Sequence, residues 1–147
     1  MSVRVFVRNL QKYLRIPLKL VRSIAVETLE VSPKNSDSAL SIVFINDKRM
    51  RKLNRLYTGR DDTTDVLAFS LKDSDETQEP LLGEVFVNAQ LACERASRVR
   101  NSSTSEALLY LVHGILHLKG YDDHTPQKRR IMWRKTRKIL SRFGYEV

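Results

Sequence analysis

All three histidines of the chain fall in one stretch, His113-Gly114-Ile115-Leu116-His117-Leu118-Lys119-Gly120-Tyr121-Asp122-Asp123-His124. His113 and His117 are four residues apart. Residues at i and i+4 of a helix lie one above the other on one face, so both imidazoles can address a single ion. Gly120 follows three residues later, where a left-handed residue stops a helix and lets the chain return past its own end. Two candidates for a third ligand stand in that return, Asp123 and His124. Three protein ligands leave a position open on zinc for water, whose pKa the ion lowers while it polarises a phosphoryl or carbonyl oxygen. The chemistry expected of this stretch is therefore metal-assisted hydrolysis with one Zn2+ ion.

Register favours Asp123, because His-x-x-x-His-x-x-Gly-x-x-Asp puts it where metzincin-type zinc enzymes carry their third ligand. His124 is the better zinc ligand by residue type but stands one position out of register, and it remains the alternative. Two histidines satisfied inside a core helix would be the ordinary reading of a bare His-x-x-x-His. Here the apolar flanks would bury two imidazoles at a cost unless something paired them, and a chain break follows at the right distance. A protease of the zincin type needs glutamate directly after the first histidine, and that place is Gly114, so peptide hydrolysis by that route is not expected.

The elements that must position these residues are readable from periodicity. Val3 to Val7 alternates as a strand, and Pro17 opens a helix with apolar residues at Leu18, Val21, Ile24, Ala25 and Leu29. A turn at Pro33, Asn35, Ser36 and Asp37 leads into Ala39 to Ile45, an apolar run typical of a buried central strand. Asn46-Asp47 caps a basic amphipathic helix over 48–57, with Met50, Leu53 and Leu56 expected inward. A loop over 58–64 leads to a short strand over 65–69, and an acidic stretch over 72–80 reads as an exposed, mobile connection. Leu82 to Val87 is a further strand, and Asn88 caps a helix running towards Arg100 with Leu91, Ala92, Ala96 and Val99 apolar.

Ser103-Thr104-Ser105-Glu106 fits a capping box, so the histidine helix is expected to start there and run to about Leu118. Its apolar residues go all round, which describes a helix enclosed by other elements. Thr125-Pro126 starts a last helix, with Met132, Trp133, Thr136, Ile139, Leu140 and Phe143 available to pack and Gly144 as its stop. The order β-α-β-α-β-β-α-α-α implies an α+β structure, a small mixed sheet of about four strands around a central buried helix.

The 147 residues, 41% of them hydrophobic, suit one domain over 1–147 with a single core. No tract is apolar enough to span a bilayer, and Arg4 and Arg8 interrupt any signal-peptide run, so no membrane partner and a cytoplasmic location are expected. Cys93 is the only cysteine, which excludes an intrachain disulfide and a thiolate-rich zinc site, and it reads as core filler. A net charge of +9 points to polyanionic partners, nucleic acid first, over the basic faces of 49–55, 95–100 and 128–142. Arg129 and Arg130 are the candidate RNA contacts of the last face.

Beyond these readings, His113-Gly114-Ile115-Leu116-His117-Leu118-Lys119-Gly120-Tyr121-Asp122 resembles the histidine signature H-G-x-L-H-L-x-G-Y-D-H of the YbeY family of metal-dependent ribonucleases and ribosomal-RNA maturation factors. Thr64-Asp65-Val66-Leu67-Ala68-Phe69 is similar to its T-D-V-L-S-F, and Leu82-Gly83-Glu84-Val85 to its L-G-D-I, in the same order. The resemblance implies a zincin-like fold and a zinc-dependent endoribonuclease acting on single-stranded RNA. It further implies a role in small-subunit rRNA 3′-end maturation and ribosome quality control, with the ribosome or its small subunit as partner. There are two departures. Asp123 stands where the family carries a third histidine, and Tyr57-Thr58-Gly59-Arg60-Asp61 replaces Tyr-Arg-Gly-Lys-Asp, so Thr58 holds the slot of an arginine credited with phosphate or transition-state contact. Arg60, two residues on, is the candidate catalytic cation. A non-catalytic, metal-stabilised RNA-binding assembly factor is the alternative, and a hydrolase of a small phosphoester is disfavoured because the basic surfaces exceed what a small substrate requires.

Overall fold

The computed structural model describes residues 4–30, 39–70, 81–99 and 102–147. Nine elements follow in the expected order: β1 (Arg4–Leu10), α1 (Leu18–Leu29), β2 (Ala39–Ile45), α2 (Asp47–Thr58), β3 (Val66–Ser70), β4 (Leu81–Asn88), α3 (Ala89–Val99), α4 (Ser103–Leu118) and α5 (Pro126–Arg142). The strands form one mixed sheet in the order β1-β2-β4-β3, with β1–β2 and β2–β4 parallel and β3–β4 antiparallel. The α+β class and the four-stranded sheet are thus as expected. Val3, the turn over 33–37, the acidic stretch over 72–80 and Arg100 lie outside the described residues.

Strand β2 is central because its Ala39-Leu40-Ser41-Ile42-Val43-Phe44-Ile45 run is apolar on both faces, and six of these seven residues are buried. Exposed and half-buried residues alternate over Arg4 to Arg8 of β1, which forms an edge. Helix α4 packs against β3, β4, α1, α3 and α5, so its all-round apolar surface is enclosed. From Ser105 to Leu116 every residue of α4 except His113 is buried. At about 25 cal/mol per Å2 of apolar surface removed from water, such a helix is the largest single contributor to the core. Among the described residues no helix is long and apolar enough to cross a membrane.

Side-chain caps decide the helix starts. Asn46 Oδ1 accepts from Arg49 N at 2.9 Å, Asn88 Oδ1 from Leu91 N at 3.0 Å, and Thr125 Oγ1 from Lys128 N at 3.1 Å. Asn88 is fully buried, and its amide lies 3.1 Å from Asp47 Oδ1 and 3.0 Å from Thr63 Oγ1, which ties α2 and the loop before β3 to the end of β4. The cap of α4 is one residue earlier than the capping box implied. Ser102 Oγ accepts from Ser105 N at 3.0 Å, and Glu106 is buried.

Several apolar residues expected to pack do not. Leu18, Leu56 and Val99 are exposed, and the inward side of α2 is Met50 with Asn54, whose amide holds Asp62 Oδ1 at 2.7 Å. Each of the three exposed residues lies at or near a helix end. Cys93 is only partly buried, with its thiol 3.7 Å from Tyr13 O, and so is not core filler.

Candidate metal centre

The histidine pair stands on a helix pressed closely against the sheet. Gly114 lies against the sheet, and a Cβ there would stand 2.7 Å from Val85 Cγ1 and 2.8 Å from Val66 Cγ2. Only glycine admits so close an approach, and that approach places His113 beside the start of β3. His113 Nε2 is buried with no hydrogen-bond partner among the described residues. Burial, aided by nearby His117, lowers the His113 pKa against the opposing pull of Asp65 and Asp123, so the ring is neutral at pH 7, the form a metal requires. His117, one turn on, is exposed, and its Nδ1 lies 3.0 Å from Tyr121 O. A carbonyl can only accept, so Nδ1 carries the proton, and Nε2 is the nitrogen through which the neutral ring would bind a metal.

The turn after α4 is a Schellman motif. Gly120 has φ 98°, its N–H donates to His117 O at 3.0 Å, and Tyr121 N donates to Leu116 O at 3.0 Å. Beyond it, Asp122 Oδ1 accepts from His124 N at 3.1 Å and Oδ2 from Lys128 Nζ at 3.2 Å. The bond from the His124 backbone and the Lys128 ammonium hold the Asp122 carboxyl below its usual range. Arg129 Nη1 donates to Asp123 O at 3.1 Å, so α5 grips the loop at the candidate ligand.

These elements border an open pocket of about 260 Å3 lined by His113, Asp123, Arg129, Met132 and Trp133. Asp123 and His124 are both exposed, and of the two only Asp123 lines it. Arg129, Arg130 and Arg60 are all exposed, and of the three only Arg129 lines it. Trp133, expected to pack, is 39% exposed, and its ring centroid is 5.9 Å from that of His113. Among the described residues no three His, Cys, Asp or Glu side chains are gathered closely enough to hold a metal. The donor types nevertheless suit zinc: an orphaned buried ring nitrogen, a second imidazole held through Nδ1 by a carbonyl, and an aspartate on the same cavity as the first.

Residues 6–144 match the family model described as endoribonuclease YbeY. The chain belongs to the YbeY family. It is 35% identical over 148 residues to the endoribonuclease YbeY of Desulforamulus reducens, covering 95% of this chain and 97% of that one. It is also 35% identical over 134 residues to that of Geobacillus thermodenitrificans, covering 86% and 83%. A solution structure of a Thermotoga maritima protein superposes with a TM-score of 0.63 at 22% identity, over 97% of this chain and 92% of that one, a likeness of fold.

Against the YbeY pattern, the arginine slot held by Thr58 provides no cation. Its hydroxyl turns back on its own helix, 2.6 Å from Asn54 O, and accepts from Arg60 N at 3.2 Å. Sequence reading also passed over the polar stripe that α4 carries into the core, Glu106, Tyr110 and His113, with Asp65 from the head of β3 near enough to act on His113. Arg95 joins it from α3, with Nη1 3.6 Å from Asp65 Oδ2 and its guanidinium 5.9 Å from the centre of the Tyr110 ring. Burial, then the Glu106 charge, pushes the Tyr110 phenol above its ordinary range. The signal was present as the i, i+4, i+7 spacing of Glu106, Tyr110 and His113, which the assignment of Glu106 to a cap concealed.

Proposed function

We propose that this YbeY family member is a zinc-dependent endoribonuclease that cuts single-stranded RNA. We further propose that it acts in the cytoplasm in small-subunit rRNA 3′-end maturation and ribosome quality control, in contact with the ribosome or its small subunit. The observation that carries this reading is the buried, unpartnered Nε2 of His113 on a cavity that Asp123 and Arg129 also line. His113, His117 and Asp123 would hold the ion. When bound, zinc supplies a Lewis acid and an acidified water for attack on phosphorus. The chain's own residues do the rest. Burial keeps His113 neutral, the Tyr121 carbonyl orients His117, and Arg129 both holds the Asp123 backbone and offers its remaining donors to a phosphate, for which the planar guanidinium is suited.

The test is a single-stranded RNA cleavage assay on the purified protein, after chelation and after zinc is restored, with metal content measured in parallel. Cleavage should disappear with chelator and return with zinc, and His113→Ala and His117→Ala should each lose bound zinc and cleavage together. Cleavage that survives both chelation and His113→Ala would overturn the reading. The assembly-factor alternative draws support from Thr58 in the arginine slot and from Arg60 lying outside the cavity. Salt-sensitive RNA binding with no chelator-sensitive cleavage would select it.

A further inference from the structure

The cavity beside His113 has an aromatic wall that the hydrolytic chemistry does not use. Trp133 leaves 39% of its surface exposed while lining that cavity, although a tryptophan on a helix packed against the core gains most by burying its rings. Arg129 and Trp133 are i and i+4 on α5, so a guanidinium and an indole are presented together on one face towards Asp123. At about 260 Å3 the space is below the ~300–1,000 Å3 of sites for drug-sized ligands, and fits one flat ring system rather than a longer apolar segment. Exposed Arg137, four residues beyond Trp133, continues the same row and adds a second positive charge for a polyanion.

We infer that Trp133 is the stacking platform for one nucleobase of the RNA substrate, holding the nucleotide next to the candidate metal centre while Arg129 takes a neighbouring phosphate. This rests on the RNA reading proposed above and adds a positioning residue to it. Stacking on an aromatic face is tolerant of base identity, since every base has a π-face, so Trp133 confers a preference for unpaired nucleotides and not for a sequence. A base within a duplex has both faces already covered and cannot reach the indole.

Trp133 is the only tryptophan of the chain, so its intrinsic fluorescence reports on this position alone. The unsubstituted protein, in chelator to prevent cleavage, is titrated with short oligouridylate and separately with inorganic polyphosphate, while binding of labelled oligouridylate is followed by anisotropy. Oligouridylate should quench the emission and polyphosphate should not. Trp133→Leu, which keeps an apolar cover over His113 but has no π-face, should weaken oligouridylate binding by roughly five- to 150-fold, whereas Trp133→Phe should retain most of it. Binding without quenching, or equal quenching by polyphosphate, or Trp133→Leu binding as tightly as the unsubstituted chain, would overturn the stacking role and leave the nuclease reading intact. No oligouridylate binding at all would remove the RNA reading and this inference with it.

Discussion

The choice between Asp123 and His124 turns on a single residue of register. Asp122 shapes the return locally: its carboxylate accepts the His124 backbone N–H and the Lys128 ammonium, and of the two exposed candidates Asp123 is the one that lines the cavity beside His113. Arg129 then holds Asp123 from α5. Asp123→Ala should therefore weaken zinc binding by roughly a hundredfold or more, beyond the 10- to 100-fold range of outer-shell changes, while His124→Ala should leave it within a few-fold. Competition with a chromophoric chelator measures both. The reverse ranking would make His124 the ligand and the observed loop a form that rearranges on binding. Asp123→His should preserve binding and, by removing an anionic ligand, give a more acidic metal-bound water.

Helix α4 is defined as much by what it lacks as by its histidines. Glutamate at position 114 would face Val66 and Val85 rather than solvent, so the glycine that excludes a zincin base also sets the distance between α4 and the sheet. Gly114→Ala illustrates which effect wins. Alanine gains about 1 kcal/mol in helix propensity, whereas overpacking a core costs about 1–3 kcal/mol, and the two valines, stiff at χ1, cannot swing clear. The net outcome should be a lower thermal unfolding midpoint, with weaker zinc binding because His113 moves with its neighbour. An unchanged or raised midpoint, measured without metal, would show that the sheet yields instead.

Over the whole molecule the net charge of +9 overstates the surface available to RNA. Arg51 pairs with Asp47, Arg55 with Asp61, Arg95 with Asp65, Lys128 with Asp122 and Arg142 with Glu27. Exposed Arg130, Arg134 and Arg137 on α5 form no ion pair among the described residues, and they flank the cavity helix. Each phosphate neutralised releases counterions, so log K for a single strand falls with log salt at about −0.7 per phosphate. Alanine at Arg130 and Arg134 should make that slope shallower by about 0.7 for each phosphate left unneutralised, whereas alanine at Arg51 and Arg55 should leave it nearly unchanged. Equal effects from both pairs would mean that RNA breaks the α2 ion pairs and spreads over that face too.

What could be read without coordinates was whatever short-range physics controls. The order of nine elements, the caps at Asn46, Asn88 and Thr125, the left-handed stop at Gly120 and the burial of α4 all follow from hydrogen bonds and periodicities spanning a few residues. The histidine pair was legible for the same reason, since one turn of helix fixes their relation. Sheet order β1-β2-β4-β3 was not legible, because strand neighbours are chosen by packing between distant segments. Nor was the cavity. Arg129 stood only as a surface RNA contact and Trp133 as a packing residue until α5 was laid across the end of α4. Periodicity says which face of a helix is apolar, but only the partner's position says how much of that face is covered. For that reason Leu56 and Val99 stand in solvent, and for the same reason an indole remains open beside His113.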